Sequence, residues 1–262
     1  MDVAGPLTFS ELPKLRDPIL IMGYAGWNDA AESATEAVRY LSSSLGTCPL
    51  AQIEMEEFLD FTVARPHVRL SGDGSREVVW PNHEFFSVRL EGRSHDLILG
   101  LGVEPHLRWR GYCRTIGELV RRTGVRLVVL PGAFLADVIY SQPIQVRSFT
   151  TGPSFSEALG QESSQYEGPT GIVGVLADEL SQQGITTLSL WAALPHYLTL
   201  SPNKRGSLAL LQRLSELIET PFDLGELERG AGEFDEQVSE LIAADPQISA
   251  YVRELKRRAF SQ

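Results

Sequence analysis

Residues 168–180 read GPTGIVGVLADEL, a turn rich in glycine and proline that runs directly into an apolar helix. The apolar residues of this helix recur at i, i+3, i+4 and i+8 and form one core-facing stripe: Ile172, Val175, Leu176 and Leu180. The turn leaves backbone N–H groups free, and the helix dipole adds partial positive charge there. The corner is therefore either an anion-binding site or an ordinary helix start with Thr170 as its N-cap.

Short apolar runs alternate with helical patterns on both sides of this segment. The runs are typical of buried parallel strands and cover residues 18–23, 95–102, 125–130 and 186–193. Helical periodicity covers residues 30–45, 107–123 and 203–219, with a shorter helix at 155–159. Such alternation predicts an α/β fold: a mixed, mostly parallel sheet with helices on both faces.

Residues 48–90 have a different pattern, which predicts an antiparallel extension of the sheet. Strand-like residues at 61–70 are followed by the turn Ser71-Gly72-Asp73-Gly74 and by a second strand at 77–80. Pro66 and Pro81 favour edge positions, because proline cannot donate to a strand ladder. Residues 85–90 add a further strand.

Length and composition indicate one α/β domain with an appendage. The chain has 262 residues, of which 43% are hydrophobic, enough for a sizeable core. It contains no run of about 18 apolar residues, so we expect no membrane span. The first nine residues lack the pattern of a secretory signal. Cys48 and Cys113 are far apart and lack metal spacing, which predicts reduced thiols in a cytoplasmic protein.

The net charge of −11 is concentrated near the carboxyl end of the chain. Residues 216–245 contain ten acidic residues and a single basic one, Arg229. We expect no nucleic-acid partner, because the negative charge of the chain would repel the phosphates. We expect a core domain at residues 1–220, followed at 221–262 by an acidic linker (221–232) and a helical hairpin that is interrupted at Asp245-Pro246.

The familiar catalytic and cofactor motifs are missing from the sequence. None of the five histidines lies four residues from another, and there is no HExxH or CxxC, so we predict no metal site. There is also no P-loop, no Gly-x-Gly-x-x-Gly after a strand, and no Gly-x-Ser-x-Gly. We therefore predict no cofactor, and no catalytic residue can be assigned.

The loops that follow the predicted strands are the candidate pocket, because the carboxyl ends of parallel strands share one edge of a sheet. Glu104 and His106 could act as acid and base, although a carboxylate at a helix start and a surface histidine are the simpler interpretations. The candidate ligand-binding residues are Gly26, Trp27, Asn28, Asp29, Glu104, His106, Gly132, Gly168, Thr170, Gly171 and His196.

An ordered set of short motifs resembles the bacterial branch of the proteasome assembly chaperone family, of the second-subunit type. The match covers roughly residues 15–220, and its motifs follow the family's order: GWNDA at 26–30, Arg65-Pro66, Trp80-Pro81, GVEP at 102–105 with Trp109, GPTGI at 168–172 with GVL at 174–176, and WAA at 191–193 with PHY at 195–197. The resemblance implies a fold similar to that of purine nucleoside phosphorylases and hydrolases. It also implies self-association, as a trimer, proteasome core subunits as partners, and an actinobacterial source.

The sequence departs from the family pattern at two places. Residues 137–143 read DVIYSQP, where members carry histidine and arginine around a proline, which weakens an anion-binding or acid–base role for this loop. The chain ends Phe260-Ser261-Gln262, without the penultimate tyrosine through which some archaeal relatives dock on the proteasome. Docking of that type is not expected here.

Two functions from different classes follow from the sequence. The first is a non-catalytic binding protein that self-associates and holds partner subunits. The alternative is an enzyme or receptor that binds a small anionic or nucleoside-like ligand at the strand-end loops. The alternative depends on the analogy of fold alone, and fold does not determine function.

Overall fold

A computed structural model of the chain describes residues 5–10, 12–72, 74–152 and 166–259. The strands in these ranges are β1 (Leu7–Phe9), β2 (Ile19–Ala25), β3 (Thr47–Ile53), β4 (His67–Leu70), β5 (Arg76–Val79), β6 (His83–Val88), β7 (Leu97–Val103), β8 (Leu127–Ala136), β9 (Val146–Thr150) and β10 (Thr186–Pro195). The helices are α1 (Ser33–Ser44), α2 (Trp109–Thr123), α3 (Ile172–Gln182), α4 (Lys204–Leu217), α5 (Gly225–Ala244) and α6 (Pro246–Ala259). The helix predicted at 155–159 lies outside the described residues.

Eight strands form one sheet in the order β1-β3-β6-β7-β2-β8-β10-β9. The four strands β7, β2, β8 and β10 are mutually parallel, and antiparallel strands extend the sheet on both sides. This confirms the predicted mixed α/β sheet. Because β2 lies between β7 and β8, the loops after these three strands meet at one edge of the sheet.

Strand β2 shows how the sequence produces two hydrophobic layers. Successive strand residues point to opposite faces, so Leu20 and Met22 pack in the layer with α2 and α3. Ile19 and Ile21 pack in the opposite layer, with α1 and α4. All four side chains are buried, because helices cover both faces. A continuous apolar run is therefore required here, and each such side chain stabilises the fold by roughly 1.5–3 kcal/mol.

The prediction for residues 48–90 is partly wrong. Strands β3 and β6 join the main sheet as expected, but β4 and β5 form a separate two-stranded sheet, the β4–β5 arm (residues 67–79). The arm does not pair with β3, because β1 and β6 pair with the two edges of that strand. All eight strand residues of the arm are exposed, and the residues from Phe61 to Ala64 form turns instead of a strand.

The carboxyl-terminal hairpin is present, but it begins earlier than predicted. Residues 225–232, which we expected in a linker, form the first part of α5, because Leu227 is buried in the core layer of α1 and α4. The hairpin turns at Asp245, whose carboxylate accepts hydrogen bonds from the N–H groups of Gln247 and Ile248. Val252 of α6 then packs in a third cluster with Phe234 and Val238 of α5. Among the described helices, none is long and apolar enough to cross a membrane.

Candidate functional site

Glu104, directly after β7, connects three loops at the edge of the sheet where the strands end. Its Oε1 atom accepts hydrogen bonds from Asn28 Nδ2 at 2.9 Å and from the Ile172 backbone N–H at 2.8 Å. Its Oε2 atom accepts from the Trp27 backbone N–H at 3.2 Å. The Ile172 amide is the first of α3, so the carboxylate lies where the helix dipole favours negative charge. The chain's own carboxylate thus occupies the corner that the sequence marked as an anion site.

The start of α3 differs from the simpler sequence-based interpretation. The N-cap residue is Gly171, and its extended backbone carries no capping side chain. Thr170 was expected to cap the helix; instead its Oγ1 atom lies 2.2 Å from the point that a Cβ on Gly174 would occupy. The expectation for Thr170 was wrong because Glu104, which is distant in the sequence, satisfies the first N–H of the helix.

Asn28 is the buried centre of the predicted pocket, with 1% of its surface exposed. Its backbone carbonyl accepts a hydrogen bond from Ala133 N–H at 2.9 Å, which joins the loop after β2 to β8. Its Oδ1 atom has no hydrogen-bond partner within the described part of the chain. A Cβ on Gly171 would lie 2.3 Å from that Oδ1 atom. Gly171 is therefore required by the closeness of Asn28 and not by its own backbone angles.

Two other glycines of the predicted pocket also allow close contacts. A Cβ on Gly132 would lie 2.8 Å from the Trp191 ring and 3.2 Å from the Asn28 carbonyl oxygen. Gly26 has a φ of +133° and faces the Glu104 side chain, so a larger residue there would be strained and crowded. Gly168 is exposed and lies against the Tyr166 ring, whose hydroxyl donates to the Pro169 carbonyl.

Asp29 has a structural role at the start of α1. Its carboxylate accepts hydrogen bonds from Ala34 N–H at 2.6 Å and from Thr35 Oγ1 at 2.5 Å, with a longer one from Thr35 N–H. Burial raises the pKa of Asp29, and the hydrogen bonds from Thr35 and Ala34 oppose that rise. The Asp29 side chain thus caps the start of α1, a structural role for this residue of the candidate pocket.

The two histidines of the predicted pocket form their side-chain contacts with residues other than Glu104. His106 Nδ1 accepts a hydrogen bond from Asp60 N–H at 3.0 Å, and the His106 N–H donates to the Phe58 carbonyl. His196 Nε2 lies 2.9 Å from both Asp137 Oδ1 and the Tyr251 hydroxyl, and so connects the loop after β10 to α6. Each histidine fixes a different loop.

A buried polar chain beneath Glu104 was not identified from the sequence. His83 Nε2 lies 2.7 Å from the Val103 carbonyl, and its Nδ1 atom lies 2.6 Å from the Tyr112 hydroxyl. The Tyr112 hydroxyl in turn lies 3.1 Å from that of Tyr24. Burial lowers the pKa of His83 to about 4, so the ring is neutral, donates to Val103 and accepts from Tyr112. The available signal in the sequence was Tyr24, which lies within the apolar run of β2.

The surface beside these buried contacts is apolar. Four large side chains at the ends of β2, β7 and β8 are exposed, and we call them the apolar rim: Trp27, Leu107, Phe134 and Leu135. Trp27 is 64% exposed, although its backbone N–H is bonded to Glu104. In the described residues, no group of three or more His, Cys, Asp or Glu side chains lies close enough to hold a metal ion. The edge thus presents apolar side chains, while the Glu104 carboxylate is bonded to backbone N–H groups and to Asn28 Nδ2.

The fold and this site define a class: α/β proteins whose strand-end loops are held together internally and bordered by exposed apolar side chains. The model of the PAC2 family matches residues 24–242, and the chain belongs to the PAC2 family. A search of curated proteins found no match.

Solved structures agree with this assignment. A PAC2 family protein from Streptomyces avermitilis is 39% identical, with a TM-score of 0.84 over 90% of this chain and 100% of that one. A Mycobacterium tuberculosis proteasome-assembly chaperone homologue is 33% identical, with a TM-score of 0.81 over 89% and 99% of the two chains. PbaB of Pyrococcus furiosus, an archaeal proteasome activator, shares the fold at 18% identity and a TM-score of 0.72, over 90% and 97%.

Proposed function

We propose that this chain is a self-associating, non-catalytic binding protein that holds proteasome core subunits during assembly. One observation carries the proposal: Glu104 and Asp29 use both carboxylate oxygens in internal hydrogen bonds, while the apolar rim at the same edge faces solvent. A catalytic carboxylate needs a proton or substrate within reach, but both Glu104 oxygens already accept hydrogen bonds from the chain. Exposed apolar side chains at one edge of the sheet offer a surface that a protein partner can cover.

The choice of partner rests on similarity. The Mycobacterium tuberculosis relative, at 33% identity, is described as a proteasome-assembly chaperone homologue. Subunits that have not yet assembled expose the apolar interfaces they later bury, and an apolar rim can cover such a surface. In this proposal the protein acts in the cytoplasm, which its two unpaired cysteines favour, and it forms the trimer that the resemblance implies.

A protein partner is preferred to a small anionic or nucleoside-like ligand on electrostatic grounds. Such a ligand at residues 168–171 would compete with Glu104 for the first amide of α3 and would meet its negative charge. The small-ligand site remains a prediction.

Native mass spectrometry tests the proposal, with the full chain alone and mixed with proteasome core subunits from the same source. We expect a homo-oligomer alone and a complex in the mixture. The double variant Trp27→Ser/Leu135→Ser should bind the subunits at least about tenfold more weakly, because each buried side chain contributes roughly 1.5–3 kcal/mol. The Trp27→Ser substitution keeps the hydrogen bond to Glu104, since that bond uses the backbone N–H of residue 27.

The matched control is Leu12→Ser, an exposed leucine outside the rim, which should leave binding unchanged. Absence of any complex with core subunits would overturn the choice of partner. A complex that the rim variant forms as tightly as the original chain would overturn the choice of surface. A small-mass excess on each subunit would instead favour the small-ligand alternative.

A further inference from the structure

A groove of about 900 Å³ on the outer side of α2 is lined by arginines in a chain whose net charge is −11. Its lining includes Arg108, Arg110, Arg114 and Arg121, with Glu57 and Glu118 as the acidic members. Phe58, Trp109 and Gly111 also line the groove. A positive groove in an acidic protein indicates a partner that carries negative charge.

The two central arginines of this groove have no internal partner. Arg108 forms an ion pair with Glu57 at 2.6 Å, and Glu118 pairs with Arg122 at 3.5 Å. No described residue forms a hydrogen bond or ion pair with Arg110 or Arg114, and both are exposed. Their guanidinium groups are therefore free to bind carboxylates from another molecule.

The spacing of these arginines indicates the size of the partner. Arg110, Arg114 and Arg121 lie on one side of α2, and at 1.5 Å per residue the stripe is about 16 Å long. A single phosphate or small carboxylate reaches only a few ångströms and could meet one end of the stripe. A second helix with acidic residues at matching intervals would meet its whole length.

Helix α5 of the same chain has such an acidic stripe. Glu226, Glu233, Glu236 and Glu240 are exposed and lie on the side of α5 opposite to its buried residues. No ion pair to these four glutamates occurs among the described residues. From Glu226 to Glu240 the stripe is about 21 Å long at 1.5 Å per residue. The acidic stripe is somewhat longer than the arginine stripe and opposite to it in charge.

The two helices cannot meet within one molecule. Helix α2 packs in the hydrophobic layer on one side of the sheet, together with α3. Helix α5 inserts Leu227 into the layer on the opposite side, beside α1 and α4. The whole sheet separates the basic groove from the acidic stripe, so their pairing requires two copies of the chain.

We infer that the acidic side of α5 from one copy docks in the α2 arginine groove of the next. This inference rests on the self-association in the proposed function and names the surfaces that produce it. The contact is head-to-tail, since it joins two different surfaces, and repeated contacts of this kind form a closed ring when the rotation allows. Exposed ion pairs are individually weak and are screened by salt, so an interface of this type weakens as salt rises.

Sedimentation velocity of the full chain, over a range of concentrations and at 0.05 M and 1 M salt, measures the association. We expect the wild-type oligomer to dissociate at least about tenfold more readily at 1 M salt, where the Debye length is about 3 Å. Arg110→Glu/Arg114→Glu and Glu233→Lys/Glu236→Lys should each weaken association at low salt by about tenfold or more, because attraction becomes repulsion. The chain with all four substitutions should recover association, since its two surfaces are complementary again.

The matched control is Arg89→Glu/Arg93→Glu, which makes the same charge change at two exposed arginines outside both surfaces. It should associate like the wild type. Recovery in the fourfold variant also shows that the paired variants had folded. A wild-type chain that is monomeric at every concentration would overturn the self-association and the docking together. A wild-type oligomer that is insensitive to salt, or to either paired variant, would overturn the docking alone.

Discussion

Glu104 determines how the strand-end loops are arranged, because its carboxylate accepts three hydrogen bonds from two separate segments, the loop after β2 and the start of α3. Replacing Glu104 with Ala would leave the Ile172 and Trp27 amides and the Asn28 side chain without an acceptor. We expect a loss of about 2–3 kcal/mol in the free energy of unfolding, measured by urea denaturation. Glu104→Gln keeps one carbonyl oxygen and should lose less. Equal losses in the two variants would mean that the hydrogen bonds do not stabilise this edge.

Gly171 gives a second prediction at the scale of the residue. A Cβ at this position would lie 2.3 Å from Oδ1 of Asn28, a side chain that is buried and bonded to Glu104 through its Nδ2 atom. Gly171→Ala should therefore reduce the free energy of unfolding by about 1–3 kcal/mol, through overpacking. The control is Gly232→Ala in α5, where nothing lies within 4 Å and alanine favours the helix. Thermal unfolding measures the melting temperatures of both variants. Equal changes in the two variants would contradict the packing argument.

Gly171→Ala also tests the small-ligand prediction, because it changes the corner where that ligand would bind. A folded Gly171→Ala chain that still shows the small-mass excess in native mass spectra would count against the site at residues 168–171. The Glu104 variants provide the comparison, since they change the charge of the corner without adding volume beside Asn28.

At the scale of the element, α6 joins the rest of the molecule through two kinds of contact. Val252 is buried against Phe234 and Val238, and the Tyr251 hydroxyl donates to Asp137 and lies 2.9 Å from His196. A chain that ends at Asp245 should keep its sheet but lose this support for the end of α5. We expect faster amide hydrogen exchange in residues 234–244 and in the loop around Asp137, with the sheet protected as before.

A single substitution separates the apolar contact from the polar one. Tyr251→Phe removes the hydroxyl but keeps the ring beside Tyr197 and His196. We expect it to change exchange only around Asp137 and His196. Faster exchange throughout α5 in Tyr251→Phe would show that the hydrogen bonds, and not the burial of Val252, hold the hairpin.

At the scale of the whole molecule, His83 makes stability depend on pH. Its pKa falls from 6.5 to about 4 on burial, so between these values the unfolded chain binds a proton that the folded chain does not. The contribution of His83 to the free energy of unfolding is therefore fully present above pH 6.5. It is lost as the pH falls toward 4, by roughly 3 kcal/mol in total. His95, whose pKa is also lowered by burial, acts in the same direction. Asp29, whose pKa burial raises, acts in the opposite direction at the acid end.

Urea denaturation at several pH values between 4.5 and 7.5 measures this effect, and His83→Gln is the matched variant. Glutamine can still donate to the Val103 carbonyl and accept from Tyr112, but it does not titrate. The variant should lose much of the dependence on pH in this range. An unchanged slope in His83→Gln would assign the dependence to other groups.

The sequence predicted the elements well, because hydrophobic period is a local property. The continuous apolar run of β2 and the stripe of α3 each specify a strand or helix whatever the rest of the chain does. The same reasoning from local patterns wrongly placed the β4–β5 arm in the main sheet and residues 225–232 in a linker. Both errors depend on residues that are distant in the sequence. Strand β1 pairs with one edge of β3, and the layer of α1 and α4 buries Leu227.

The sequence by itself determined the α/β class, the parallel centre of the sheet, the helical hairpin at its end and the family resemblance, since all of these follow from short-range patterns. Only the tertiary structure decided what the turn at 168–171 does, because Glu104, which accepts from the Ile172 amide that follows the turn, is 68 residues away in the chain. The burial of His83 and the separation of the arginine groove from the acidic stripe of α5 were likewise decided by the fold. Hydrogen bonds and electrostatic contacts depend on distance in space, and spacing in the sequence does not encode that distance.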